Sequence, residues 1–350
     1  MNINAEICET AEKVINRLIS TKKNDISNDH MVIENWEWPQ GVAMYSLFKY
    51  YRNTGKKEYL DFILNWYEER IKEGLPARNV NTTAPMLTLA YLCESNPNEE
   101  YYKLCEEWAT WIMEQMPRTE EGGLQHITTH DINPQQLWDD TLFMTVLFLA
   151  KFGKIAGRQN LIDEAVSQFL LHIKYLYHTK TGLWYHGWTF YGRHNFGEGL
   201  WARGNSWYTS AVVEFIEILD LKGPVKKYLV DTLEAQVSKL TELQSENGMW
   251  HTLLDEPDSY VETSATAAIA YGMLKAVRLN LIDSKYRQVA VKAVDAVLQR
   301  ISEDGTVQQV SYGTAMGMNK EHYRDIAICP TAYGQGLTFL MLTECQRECV

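Results

Sequence analysis

Cations are in short supply: 33 Lys and Arg stand against 45 Asp and Glu, a net charge of −12. A chain so acidic repels nucleic acid and anionic membrane surfaces, which excludes both as partners. Membrane-length apolar runs are lacking too, since no stretch approaches the roughly 20 apolar residues that a span needs. The first twenty residues, "MNINAEICETAEKVINRLIS", hold acids throughout and no apolar core, unlike a secretory signal. The six cysteines (Cys8, Cys93, Cys105, Cys329, Cys345 and Cys349) form no CxxC pair. They read as reduced, structural thiols of a cytoplasmic protein. There is no Gly-rich phosphate loop, no GxSxG, no kinase signature and no HExxH, so nucleophilic Ser or Cys catalysis has no support. His126 and His130, four apart in "QHITTHD", lack a third ligand, and no metal or cofactor is expected.

Aromatics, in contrast, abound: 11 Trp, 20 Tyr and 10 Phe in 350 residues. They fill a large core or face a cleft that stacks on flat ligands such as sugars. Six segments open with polar or small residues and turn apolar, starting at Trp38, Asn81, Trp138, Arg203, Glu262 and Pro330. Between them run six amphipathic patterns, from "AEKVINRLIS" to "YRQVAVKAVDAVLQRI", each with one apolar stripe. Six half-exposed helices alternating with six buried ones predict an all-α (α/α)6 barrel, one catalytic domain over residues 1–350. An open α-solenoid is the alternative, but it would leave the apolar helices lining an exposed surface.

A second repeat enters several of the buried segments: "EGGLQHI", "TGLWYHGW", "NGMWHTLL" and "DGTVQQV". Each predicts a left-handed Gly that ends the preceding helix, then a short strand. These strands gather on one rim with the N-termini of the inner helices, where negative ligands are favoured. That rim is the expected site.

There the carboxylates beside aromatics carry the chemistry. In "QQLWDDTLFM", Asp139 and Asp140 are adjacent, and neighbours on a helix point about 100° apart. One is expected to cap the helix; the other points into the cavity beside Trp138. A carboxyl desolvated against aromatic walls holds its proton near neutrality, as a general acid must. The stretch from Trp184 to Trp207 is dense in rings and cations, including His186 and Arg203. Arg203 offers a planar fork to a ligand carboxylate, or pairs with Glu198 or Asp139 to pin the rim.

The motifs "QQLWDDTLFM", "GLWYHGW", "WARGNSW" and "NVNTTAPML" resemble the unsaturated rhamnogalacturonyl hydrolases of glycoside hydrolase family 105. The resemblance implies an (α/α)6 barrel and a small oligosaccharide substrate ending in a Δ4,5-unsaturated galacturonic acid, commonly linked to rhamnose. Its W-x-D-T-L pattern selects Asp140 as the acid/base. It makes His186, Arg203 and Trp207 sugar-binding candidates, with Trp38, Asn81, His126 and Trp138 beside them. The sister glucuronyl hydrolases carry an Asp where this chain has Asn81, which leaves Asp140 to work alone. The implied chemistry is hydration of the C4=C5 vinyl ether. Two alternatives are a conventional inverting glycosidase, with Glu198 or Glu262 as second carboxylate, and a non-catalytic binder of anionic sugars.

Overall fold

The computed structural model describes residues 3–22 and 30–348. Cys349 lies outside them; Cys8, Cys93 and Cys105 are free thiols. Six amphipathic helices lie on the outside: α1 (Ile3–Ser20), α3 (Lys57–Glu73), α5 (Glu99–Glu114), α7 (Gln159–Leu176), α9 (Gly223–Leu243) and α11 (Tyr286–Leu298). The inner helices are α2 (Trp38–Thr54), α4 (Val80–Ser95), α6 (Leu147–Ala156), α8 (Ala202–Leu219), α10 (Thr263–Arg278) and α13 (Ala332–Glu348). A one-turn α12 (Glu321–Arg324) sits in the linker before α13.

The inner helices contact one another in sequence, and α13 returns to α2, so the ring closes. Each outer helix packs chiefly on one inner helix, with α1 completing the outer ring against α13. This is the (α/α)6 barrel the hydrophobic pattern predicts. Burial explains the pattern: α10 buries every residue from Thr263 to Val277, whereas α3 buries five along one stripe. No described helix is long and apolar enough to cross a membrane.

The two rims differ. At one, inner helices pass to outer helices through tight turns, such as the left-handed Gly55 (φ +70°), whose N–H caps Tyr51. At the other, the chain runs through long linkers, among them residues 115–141, 177–201, 244–262 and 299–331. Within these lie β1 (Gln136–Trp138) paired antiparallel with β2 (Gly187–Thr189), and β3 (Trp250–His251) paired with β4 (Val261–Glu262).

The four linker glycines, Gly122, Gly182, Gly248 and Gly305, are left-handed as expected, with φ between +81° and +88°. They do not end the helices, however. Each closes a separate turn some residues later, as Gly248 N–H does on Ser245 C=O. Three of these turns press on the next outer helix: a Cβ would fall 2.7 Å or less from the backbone of α9 at Gly182, of α11 at Gly248 and of α1 at Gly305. The glycine is needed for close approach as well as for φ.

Candidate active site

Helix α6 does not begin where the apolar run suggests. Strand β1 delivers Trp138, a turn holds Asp139 and Asp140, and a π-helical segment (Leu142–Val146) leads into α6. In that segment Leu147 N–H donates to the Leu142 carbonyl, a wide i+5 bond. Such wide turns recur at functional sites because they re-aim the residues at the helix mouth.

Asp140 opens into a cavity of about 320 Å³ on the long-linker rim. Of the eight residues the sequence singles out, seven line it: Trp38, Asn81, His126, Trp138, Asp140, Arg203 and Trp207. They arrive on β1, on the segments flanking it and on the first two turns of α2, α4 and α8, so the barrel itself gathers them. The eighth, His186, does not line the cavity. It lies buried behind Asp139 and Asp140, its Nδ1 2.9 Å from the Tyr323 hydroxyl.

Also in the wall are Trp201, from the dense stretch of rings and cations, and His30, Thr128, Asp131, Tyr312 and Thr314, to which the sequence assigns no binding role. They come from loops without hydrophobic periodicity. The loop from Thr128 to Asn133 is tied down by its neighbours: Thr129 donates to Glu37, the N-cap of α2, at 2.8 Å, and Asn133 donates to the His126 carbonyl at 2.9 Å. His30 stacks on Tyr312, with ring centroids 4.0 Å apart.

Burial raises the Asp140 carboxyl to about 7, with its own backbone amide and Arg203 opposing. One oxygen lies 3.6 Å from His126 Nδ1, and that nitrogen is 2.8 Å from the Thr141 hydroxyl. The His126 ring stacks on Trp138 at 4.1 Å, and burial lowers it to about 3, so it is a neutral base at physiological pH.

Asp139 is 0% exposed and does not cap the following helix. Its oxygens find no hydrogen-bond partner of good geometry, only weak contacts with the amides of Asp139 and Asp140. Burial first, and the Asp140 charge second, push its carboxyl well above the usual range.

Arg203 is buried and pairs with neither Glu198 nor Asp139. One terminal nitrogen donates to the Ser311 carbonyl at 2.7 Å and to its hydroxyl, and the other donates to the Tyr312 carbonyl at 2.8 Å. The guanidinium lies 4.5 Å over Trp201. Ser311 N–H in turn donates to Glu262, which also caps α10. Glu262 is thereby consumed in structure, and neither it nor Glu198 lines the cavity.

Among the described residues, one group has metal-ligand spacing: single atoms of Asp139, Asp140 and His186 lie within 4.8 Å of one another. Of the three, Asp140 alone lines the cavity, and Asp139 and His186 are buried. His126 and His130 both reach the cavity, though His126 is buried and His130 exposed.

Comparisons with known proteins agree with this architecture. The chain is 32% identical over 312 residues to an unsaturated rhamnogalacturonyl hydrolase, YesR, of Bacillus subtilis, covering 88% of this chain and 89% of that protein. It superposes with a TM-score of 0.96 and 44% identity on a Salmonella enterica protein described as a possible member of the GH105 family, covering 100% of this chain and 96% of that one. An unsaturated glucuronyl hydrolase from Bacillus sp. GL1 shares the fold, with a TM-score of 0.77 at 18% identity over 99% and 97% of the two chains. These likenesses bear out the resemblance read from the motifs. The model of Glycosyl Hydrolase Family 88 matches residues 10–349, and the chain belongs to that family of glycoside hydrolases.

Proposed function

We propose that this enzyme removes a Δ4,5-unsaturated uronic acid from the non-reducing end of the oligosaccharides that polysaccharide lyases leave behind. For this chain the sugar is unsaturated galacturonic acid linked to rhamnose, as in lyase-cut pectin. The reading rests on one observation above others: Asp140 faces an aromatic cavity with its carboxyl raised to about 7. A group that must give a proton and then take one needs a pKa near the working pH.

In this mechanism protonated Asp140 delivers its proton to C4 of the vinyl ether. Positive charge develops at C5 and the ring oxygen. Water adds at C5 and gives its proton to the Asp140 carboxylate, which restores the acid. The hemiketal opens and the remaining sugar leaves. Trp38, Trp138 and Trp207 supply apolar faces, Asn81 serves a hydroxyl, and Arg203 supplies positive charge for the substrate carboxylate. Conventional inversion needs two carboxylates across the anomeric carbon. Neither Glu198 nor Glu262, the partners considered for it, lines the cavity. The whole chain acts as one catalytic domain without a cofactor, and the free thiols of Cys8, Cys93 and Cys105 favour a reducing, cytoplasmic location.

The test is Asp140→Asn on a lyase-generated disaccharide, following the C4=C5 ultraviolet absorbance. Turnover should vanish while the fold persists. Near-normal activity, or sugar release with the absorbance kept, would overturn the reading.

A further inference from the structure

Hydration through Asp140 leaves Asp139 without a task, yet its placement is costly. The side chain is wholly buried, and Oδ2 sits so close over α8 that a Cβ on Gly204 would meet it at 2.3 Å. One oxygen of Asp139 lies within 4.8 Å of an oxygen of Asp140 and of a ring nitrogen of His186. The groups facing it are Asp140 from the same turn, His186 ahead of β2, Arg203 on α8 and Tyr323 on α12.

Arg203 is the one cation among them; its charge opposes the shift, but it forms no ion pair with Asp139. Arg203 gives both terminal nitrogens to Ser311 and Tyr312. His186 has its Nδ1 on the Tyr323 hydroxyl, and burial keeps its ring neutral, as it does His126. Tyr323, also pushed up by burial, is neutral as well. An ionised carboxylate with no partner in such surroundings is untenable, so the group keeps its proton. A neutral carboxylic acid is a hydrogen-bond donor. The two carboxyl groups lie within 4.8 Å of one another with no hydrogen bond joining them, and Asp140 also borders the cavity.

We propose that Asp139 is a positioning residue: a carboxylic acid that stays protonated and whose O–H supports Asp140 while Asp140 is a carboxylate between its two proton transfers. No proton leaves Asp139. The one Asp140 gives to C4 is replaced by the one it takes from water. The inference rests on Asp140 being the acid and base of the reaction.

The test compares the pH dependence of kcat and kcat/KM for the wild type, Asp139→Asn and Asp139→Ala on the unsaturated disaccharide. Asn keeps a neutral donor, so kcat should stay within about threefold and the alkaline limb should not move. Ala removes the donor, so kcat should fall about 10- to 100-fold, the worth of a hydrogen bond to a charged group. Its alkaline limb should move up, because the Asp140 carboxylate has lost its support. A downward move in the Asn variant would mean that Asp139 is ionised, and would overturn the proposal. Equal losses in both variants with unmoved limbs would also overturn it, since packing alone explains that outcome.

Should the Ala variant fail to fold, difference infrared spectroscopy still decides. In an Asp140→Asn background at neutral pH, a neutral carboxylic acid carbonyl band should be present and should vanish on adding Asp139→Asn. Absence of the band overturns the proposal. An active Asp140→Asn enzyme would instead sink the role of Asp140 and leave the protonation of Asp139 standing.

Discussion

His126 Nδ1 stands 3.6 Å from an oxygen of Asp140, and the two are nevertheless no ion pair near neutrality. Burial drives them in opposite directions, the imidazole down to about 3 and the carboxyl up to about 7. Between those values both are neutral, which is the state a proton donor in an apolar cavity requires.

The pH dependence follows. An acid that must be protonated loses activity as pH rises through its folded pKa, so kcat/KM should fall above about 7, with no acid limb from His126 above pH 4 or so. Stability moves in the same direction. A carboxyl raised in the folded state binds its proton more tightly there than in the unfolded chain, so it costs stability progressively from about pH 4 to pH 7. The melting temperature of Asp140→Asn, relative to the wild type, should therefore rise between pH 5 and pH 8.

Gly204 is where the fold makes room for Asp139. On an exposed helix, Gly→Ala gains up to about 1 kcal/mol. Here the new Cβ would sit 2.3 Å from Asp139 Oδ2 and 3.2 Å from the Trp201 ring. Overpacking of that kind costs about 1–3 kcal/mol. Gly204→Ala should lower stability in denaturant melts and lower kcat, because the displaced Asp139 pushes on Asp140. An Ala variant as stable and as active as the wild type would refute the crowding.

How much of this was legible in the sequence depends on which signal each part leaves. The twelve barrel helices follow from hydrophobic period, and Trp38, Asn81, Arg203 and Trp207 lie in the first two turns of helices whose starts that period marks. The π-helical turn at Leu142 leaves no such mark, because Phe143 to Val146 are buried whichever winding they adopt. Tyr312 and Thr314 come from a linker with no periodicity, and chain closure brings them to the cavity. His186 stands out by composition, but alternation along the run into β2 turns it behind the wall. Asp139 misleads for a local reason: a strand and a turn, not a helix start, place it.

Arg203 shows why a cation at a site is not interchangeable with another. Its guanidinium donates to Ser311 and Tyr312 while stacking over Trp201 and Tyr333, at 4.5 and 5.1 Å. Lys keeps the charge but has neither the planar fork nor the stacking face. Arg203→Lys should release the segment from Ser311 to Thr314 that forms one wall of the cavity. We expect KM to rise and kcat/KM to fall by about tenfold or more, on the worth of a single charged hydrogen bond. Unchanged kinetics would show that charge alone suffices.

Far from the cavity, the closed inner ring has its own polar centre. Glu214 on α8 is fully buried, and it accepts from Lys275 on α10 at 2.6 Å, from Lys49 on α2 at 3.2 Å and from the Tyr271 hydroxyl. Burial opposes its ionisation, but Lys275 and Lys49 more than offset that and hold the carboxyl well below the usual range. The carboxylate thus ties three inner helices together across the barrel. Glu214→Gln keeps the shape and removes the charge, leaving Lys275, 0% exposed, with Glu217 as its remaining carboxylate. Breaking a buried pair from one side costs about 3–5 kcal/mol, because the stranded charge pays the desolvation. Denaturant unfolding should show that loss, while kcat/KM on folded enzyme stays near the wild-type value. Replacing Glu214, Lys275 and Lys49 together with apolar residues of similar volume should recover much of the stability, since no fully buried charge is then stranded and the exposed Glu217 keeps Arg278 at 3.9 Å. A triple variant as unstable as Glu214→Gln would show that the ring depends on the ion network itself.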